Sequence, residues 1–386
     1  MEKRLLIANY NKIFGDEGTK ELFFAPSRVN MIGEHIDYNG GYVFPCALSF
    51  GTYGVASLRK DKRIKMYSEN FSDIGVIDVS IDELEFKKEH NWTNYVKGVL
   101  VEFMKKAKIN QGMNIYIFGD MPYSAGLSSS ASLEMLVSIM FNDLYNINLE
   151  MLDMVKMAKV VENEYMGVNS GIMDQFAIGM GKKDAAMYLN TATLECTYTP
   201  LILNDYEIVI ANTNKKRTLA DSKYNERKQE CDSSLEKIQK IKQIEHLCDL
   251  STEDFDSIKH VLSDIEQRRT YHVLSENERT KMSVKVLNQN DIKMFGKLMY
   301  QSHVSLRDDY DVTGKELDTL VHLMMSQEGV VGSRMTGAGF GGCTVSIVAK
   351  EFIKKTITKV SKEYKDIIGY DAEFYVISVG PGVHKL

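Results

Sequence analysis

The chain has 386 residues, with 47 Lys and Arg against 53 Asp and Glu, a formal charge of −6 near neutral pH. Hydrophobic residues make up 44% and only 5 residues are proline, which excludes a Pro-rich disordered chain and fits a globular protein. At ~150 residues per domain two or three domains are expected. The acidic balance argues against nucleic acid as a partner, since phosphate attraction needs concentrated positive charge.

The N-terminal stretch MEKRLLIANYNKIFG has Lys3 and Arg4 ahead of a short apolar run. That run is too short for a secretory segment, so a cytoplasmic protein is expected. No stretch approaches the ~18 apolar residues that cross a bilayer, so no membrane partner is expected. Residues 40–60 mix apolar and turn residues in short runs, which suggests strands. Met113, Ile115 and Ile117 alternate with Asn114, Tyr116 and Phe118, predicting a strand that stops at Gly119-Asp120-Met121-Pro122. The period then changes. Leu133, Leu136, Val137, Met140, Phe141 and Leu144 share one face of a helix. Met151, Met154, Val155, Ala158, Val161 and Tyr165 form a second helical stripe ending near Gly167.

Residues 182–210 read as strands and turns, and 217–248, 252–267, 290–304 and 315–327 as helices. A glycine-rich run, 332–342, precedes the strand CTVSIVA. Strands and helices fill both halves without strict βαβ alternation, which predicts an α+β fold. No linker stands out; a division near residue 200 is expected, into domains 1–200 and 201–386. The five cysteines are scattered without a C-x-x-C pair, so free thiols are expected and no zinc site.

Four clusters carry chemistry. Between the predicted strand and the first amphipathic helix, residues 122–132 read PYSAGLSSSAS. Small residues there let the backbone approach a ligand closely, and the first N–H groups and dipole of the following helix favour an anion. Serine and glycine before a helix also serve as caps, but a single cap does not need so many small residues, and phosphate is the natural guest. The loop lacks the G-x-x-x-x-G-K-[ST] of a P-loop and the chain lacks the D-F-G of a protein kinase. The second cluster, GAGFGG at 337–342, precedes a strand and not a helix, the wrong order for a dinucleotide fold; alone it reads equally as a flexible turn. The third, RVNMIGEHIDYNGG at 28–41, gathers Glu34, His35, Asp37 and Asn39. Such groups suit a polyhydroxylated ligand or a solvated turn, and composition does not choose. The fourth pairs Glu162 with Asp174, a carboxylate among apolar neighbours that must be paired or chemically employed.

Together the clusters resemble the galactokinases of the GHMP sugar and metabolite kinase superfamily, over residues 22 to 384. RVNMIGEHIDYNGGYVFP (28–45), PYSAGLSSSAS (122–132), GIMDQFA (171–177) and GSRMTGAGFGGCTVS (332–346) carry the likeness. The resemblance implies transfer of phosphate from ATP, with Mg2+, to the anomeric hydroxyl of galactose. It implies that Glu34, His35, Ile36, Asp37, Gly171, Asp174 and Tyr224 contact the sugar. Ser124, Ala125, Gly126, Leu127, Ser128, Ser129 and Ser130, with Ser68, would contact ATP. Ser130 and Glu162 would hold Mg2+. Asp174 would be the base and Arg28 its electrostatic partner, and the 337–342 loop would close the nucleotide site. The chain departs from the family at Ser27 and Ser124, where a Cβ replaces a usual glycine, and at Ile36, where a threonine is usual. A kinase for N-acetylgalactosamine, a uronic acid or arabinose, and a galactose sensor without turnover, are the alternatives. A monomer or weak homo-oligomer is expected. Trp92 reads as an ordinary core anchor, and Lys215-Lys216-Arg217 as a solvated charge run.

Overall fold

The computed structural model describes residues 2–121, 126–215 and 220–386. Its frame is a six-stranded sheet in the order His384–Lys385, Glu21–Asn30, Pro45–Leu58, Met113–Gly119, Arg63–Ser68, Ile77–Ser80. Neighbours run antiparallel except Arg63–Ser68 beside Met113–Gly119. That parallel pair needs a crossover, which the helix Thr93–Met104 supplies. A four-stranded antiparallel sheet orders Val330–Thr336, Cys343–Ala349, Tyr206–Asn212, Glu373–Ile377. A third sheet joins Tyr42–Val43, Ala185–Asn190 and Cys196–Pro200. Helices and strands occur throughout, as an α+β fold requires. Among the described residues no helix is long and apolar enough to cross a membrane.

Strand Glu21–Asn30 explains the layering. Nine of its ten residues are buried, so both its faces are covered. Phe23 and Ala25 pack with Val99, Leu136, Met140 and Phe176 from the helices on one side. Leu22 packs with Leu6 and Tyr10 of the helix Lys3–Phe14 in another cluster. Full burial of such a side chain contributes roughly 1.5–3 kcal/mol. Val29, Phe44 and Cys46 share a third cluster with Ile210, Val345 and Phe295, which seams the large sheet to the C-terminal one.

The predicted strands at 40–60 and 113–118 and the two amphipathic helices are present, as Tyr42–Val43, Pro45–Leu58, Met113–Gly119, Ser129–Leu144 and Met151–Val160. Two helical readings need correction. Within 217–248 the helix is Ala220–Gln239, followed after a turn by the 3-10 segment Leu247–Asp249. The run 252–267 is two elements: Thr252–Ile258 and a 25-residue helix Asp264–Asn288. Ser263 and Glu266 form a capping box that starts the second. Helices Lys3–Phe14, Thr93–Met104, Met173–Met180 and Ile353–Ile368 were not anticipated. The last buries only Thr356, Val360 and Tyr364, a stripe four residues apart that becomes meaningful once a sheet lies beneath it.

Candidate functional site

The site is built where the strand Glu21–Asn30 loses register. Between Pro26 and Arg28 its pairing with Pro45–Leu58 shifts from Gly51 to Ala47, so Ser27 alone faces Leu48, Ser49 and Phe50 and the partner strand bulges there. Ser27 does not have positive φ, so its Cβ costs no strain there, and its hydroxyl donates to the carbonyl of Leu127. Next to this irregularity Arg28 meets Asp174 with two parallel bonds, Nε to Oδ1 at 2.7 Å and Nη2 to Oδ2 at 2.8 Å. Arg28 Nη1 also donates to the Gly126 carbonyl at 3.0 Å. Asp174 stands in the first turn of Met173–Met180, where the helix dipole favours a carboxylate.

Beyond the strand the chain turns through Gly33 (φ 98°) and His35 (φ 61°), placing Glu34 inward with 1% exposure. Glu34 accepts from Arg334 Nη2 at 2.8 Å, Asn30 Nδ2 at 3.0 Å and the Gly337 N–H at 2.7 Å. Burial pushes its carboxyl above the ordinary range, and Arg334 and Arg28 oppose that rise. His35 Nε2 lies 3.2 Å from the Ala338 carbonyl, which can only accept. Nε2 therefore carries the proton, and Nδ1 accepts from the Tyr38 hydroxyl at 2.8 Å. Burial, then the charge of His272, lowers the imidazole to about 3, so the ring is neutral. Tyr38 is in turn 2.8 Å from Tyr310, and Tyr224 places its ring 5.5 Å from that of His35.

Asp37 opens a short 3-10 turn, Asp37–Asn39. Burial first, then the charges of Asp174 and Glu34, push it up to about 7. Gly171 lies against its carboxylate, where any Cβ would overlap it. Arg28, Glu34, His35, Asp37, Gly171, Asp174 and Tyr224 line one cavity of about 140 Å³, joined by Glu162, Gly337 and Ala338. Ile36 does not line it; its side chain is fully buried in the core. The hydroxyl lost where the family has threonine is thus replaced by core packing.

A glutamate on a helix is ordinarily solvated. The helix Met151–Val160 instead widens into a π turn over Val161–Tyr165 and leaves Glu162 only 7% exposed. Its Oε1 accepts from Ser130 Oγ at 3.0 Å, and its Oε2 from Ser170 Oγ at 2.8 Å and Gln175 Nε2 at 2.6 Å. Burial, then the Asp174 charge, raises its affinity for a proton. An all-oxygen pair of one carboxylate and one hydroxyl suits a small hard cation that keeps waters or phosphate as its other ligands.

A larger hollow of about 490 Å³ adjoins this point. Phe71, Trp92 and Tyr95 contribute aromatic wall; Ser129 and Ser130, at the start of Ser129–Leu144, and Ser68, at the end of Arg63–Ser68, contribute hydroxyls. Aromatic faces beside a helix N-terminus suit a flat ring that carries phosphates. Ser130 lines this hollow, while its partner Glu162 lines the smaller one. Of the residues expected in the phosphate loop, Ser124 and Ala125 lie outside the described residues. Gly126 and Leu127 act through their carbonyls, to Arg28 and Ser27, and the Leu127 side chain is core. Ser128 donates to Asp174 Oδ2.

The Gly337 loop faces the smaller cavity rather than the larger hollow. Trp92 both joins the core and lines the larger hollow. Lys215 pairs with Glu316 at 2.9 Å, while Lys216 and Arg217 lie outside the described residues. Sequence reasoning missed Arg334, Gln175 and Tyr38 as parts of the site. Each sits inside a quoted motif, but nothing in its spacing shows that it faces a carboxylate or imidazole.

Residues 8–58 match the galactokinase galactose-binding signature, 94–182 the GHMP kinase N-terminal domain and 283–366 the GHMP kinase C-terminal region. The chain is 52% identical to the galactokinase of Clostridium acetobutylicum over 369 residues, 95% of each chain. It is 52% identical to that of Clostridium perfringens over 388 residues, covering both chains fully. The crystal structure of Lactococcus lactis galactokinase complexed with galactose superposes with a TM-score of 0.97 at 46% identity, covering 99% of both chains.

Proposed function

The chain belongs to the galactokinase family of the GHMP kinases, and from that membership we propose that it phosphorylates the anomeric hydroxyl of galactose with ATP. One observation carries the reading: the Arg28–Asp174 pair closes the carboxylate-lined cavity on the side where the helix Ser129–Leu144 begins. A sugar hydroxyl lying on Asp174 and a phosphate chain lying on that helix end would meet there.

Galactose occupies the smaller cavity, where Glu34 and Asp37 accept from its hydroxyls and Tyr224 stands over it. The His35 ring holds the cavity wall to Ala338, and Ile36 supports the turn from the core. ATP lies in the larger hollow beside Ser129 and Ser130, with Ser68 on its flank. Asp174 orients the anomeric O–H and accepts its proton. The new bond forms between that oxygen and the γ-phosphorus, and the bond from phosphorus to the β-phosphate oxygen breaks, releasing ADP. Arg28 and the helix N-terminus stabilise charge on the transferring group. Ser130 and Glu162 would hold Mg2+, which supplies further neutralisation of the phosphate oxygens.

A division near residue 200 is part of the proposal. The four-stranded sheet draws all its strands from Tyr206 onward, while the final strand His384–Lys385 returns to the N-terminal sheet. A cytoplasmic monomer or weak homo-oligomer fits ATP as co-substrate.

The test is a sugar panel with ATP and Mg2+, read by phosphosugar formation and ADP release, on wild type and Asp174→Asn. Galactose 1-phosphate is the expected product. General-base catalysis contributes ~10²–10⁴-fold, so kcat of the variant should fall on that scale while ATP still binds. Preferred turnover of N-acetylgalactosamine, a uronic acid or arabinose would change the substrate. Sugar binding without ADP release would make the chain a sensor.

A further inference from the structure

Ser128 occupies the N-cap position of Ser129–Leu144, yet it does not behave as a cap. Its backbone is left-handed, φ 61° and ψ 50°, and its side chain makes no capping bond. A capping serine ordinarily holds extended backbone angles and accepts from the second or third helical N–H. Left-handed backbone is unfavourable for a residue with a Cβ, and the cap is forfeited as well. Both losses place one group: the hydroxyl, which donates to Asp174 Oδ2. The residue is 8% exposed, so water competes little for that bond.

The consequence lies in the lone pairs of Asp174. Among the described residues, Oδ2 accepts from both Arg28 Nη2 and Ser128 Oγ, while Oδ1 accepts from Arg28 Nε alone. A carboxylate oxygen offers two acceptor sites, so Oδ2 is filled and Oδ1 keeps one open. We propose that Ser128 is a positioning residue for Asp174: its hydroxyl pins Oδ2 and leaves Oδ1 as the oxygen that meets the sugar's anomeric hydroxyl. This assigns Ser128 a task beyond contact with ATP, and it rests on the kinase reading of the same site.

The test is a double-mutant cycle on the full chain with Ser128→Gly and Asp174→Asn. Glycine accepts the left-handed backbone freely, so this change removes the hydroxyl without adding strain. Ser128→Gly should lower kcat ~10-fold or more, the scale of one hydrogen bond to a charged group, with KM for ATP within about twofold of wild type. In the Asp174→Asn background the same change should have little further effect on kcat. Wild-type kcat with a raised KM for ATP would make the hydroxyl a phosphate ligand only and overturn the proposal. The cycle is also read by urea unfolding midpoints, which register the Ser128–Asp174 bond whether or not the chain turns over. Strict additivity there would overturn the proposal too. Absence of product from wild type, with coupling intact in unfolding, would instead overturn the kinase reading.

Discussion

Replacing Arg334 by methionine tests how the sugar-side wall is held. Arg334 is fully buried; its Nη2 lies 2.8 Å from Glu34 Oε2 and its Nη1 3.0 Å from the Asn30 carbonyl. Methionine fills much of the volume but removes the only full charge bonded to Glu34 among the described residues, leaving neutral donors from Asn30 and Gly337. Breaking a buried pair from one side costs about 3–5 kcal/mol, because the remaining charge is uncompensated. Urea unfolding should show that loss. Adding Glu34→Gln should recover most of it, since a neutral amide needs no counter-charge. The pH dependence follows in sign. Burial already raises the Glu34 carboxyl, and losing Arg334 raises it further. The native variant then keeps a proton that the unfolded chain releases above about 4.3, so its stability falls as pH rises from there toward the raised native value. The deficit should be larger at pH 8 than at pH 5.5. A double variant no more stable than Arg334→Met, or a deficit that grows in acid, would refute the argument.

Three further outcomes are expected. Gly171→Ala should displace the Asp37 carboxylate that lies against it, raising KM for galactose ~10–100-fold with KM for ATP unchanged; steady-state kinetics in both substrates checks this. Because Asp37 is pushed up to about 7, galactose hydroxyls donating to its ionised form should release up to a proton on binding near pH 6 and almost none near pH 8.5. Calorimetry in buffers of different ionisation enthalpy reads that release, and buffer-independent heats at pH 6 would contradict it. Glu162→Gln should weaken Mg2+ binding, moving the titration at fixed ATP to higher Mg2+, with a smaller effect from Ser130→Ala; unchanged titrations in both would move the metal elsewhere.

The chain's local patterns determined a good deal. Alternation at 113–118 and helical spacing at 133–144 identify their elements because each depends on neighbours a few residues apart. The small residues of 122–132 and the carboxylates of 28–41 and 171–177 disclose chemistry for the same reason: residue type limits what a turn can bind. Tertiary structure alone decided which groups meet. Arg28 and Asp174 are 146 positions apart, and Arg334 and Glu34 are 300 apart. Burial in shared clusters brings such segments together: Ala25 packs in one with Phe176, two residues from Asp174, and Val29 packs in another with Cys343 and Val345, on the strand paired with that of Arg334. Backbone departures were equally hidden. The register shift opposite Ser27, the π turn at Glu162 and the left-handed Ser128 each break the local rule their residues suggest, and each bonds to distant chain, Ser27 to Leu127, Glu162 to Ser130 and Ser128 to Asp174. Local preference amounts to about 1 kcal/mol per residue, so a handful of buried contacts overrides it, and the aim of a side chain is settled only when the core closes.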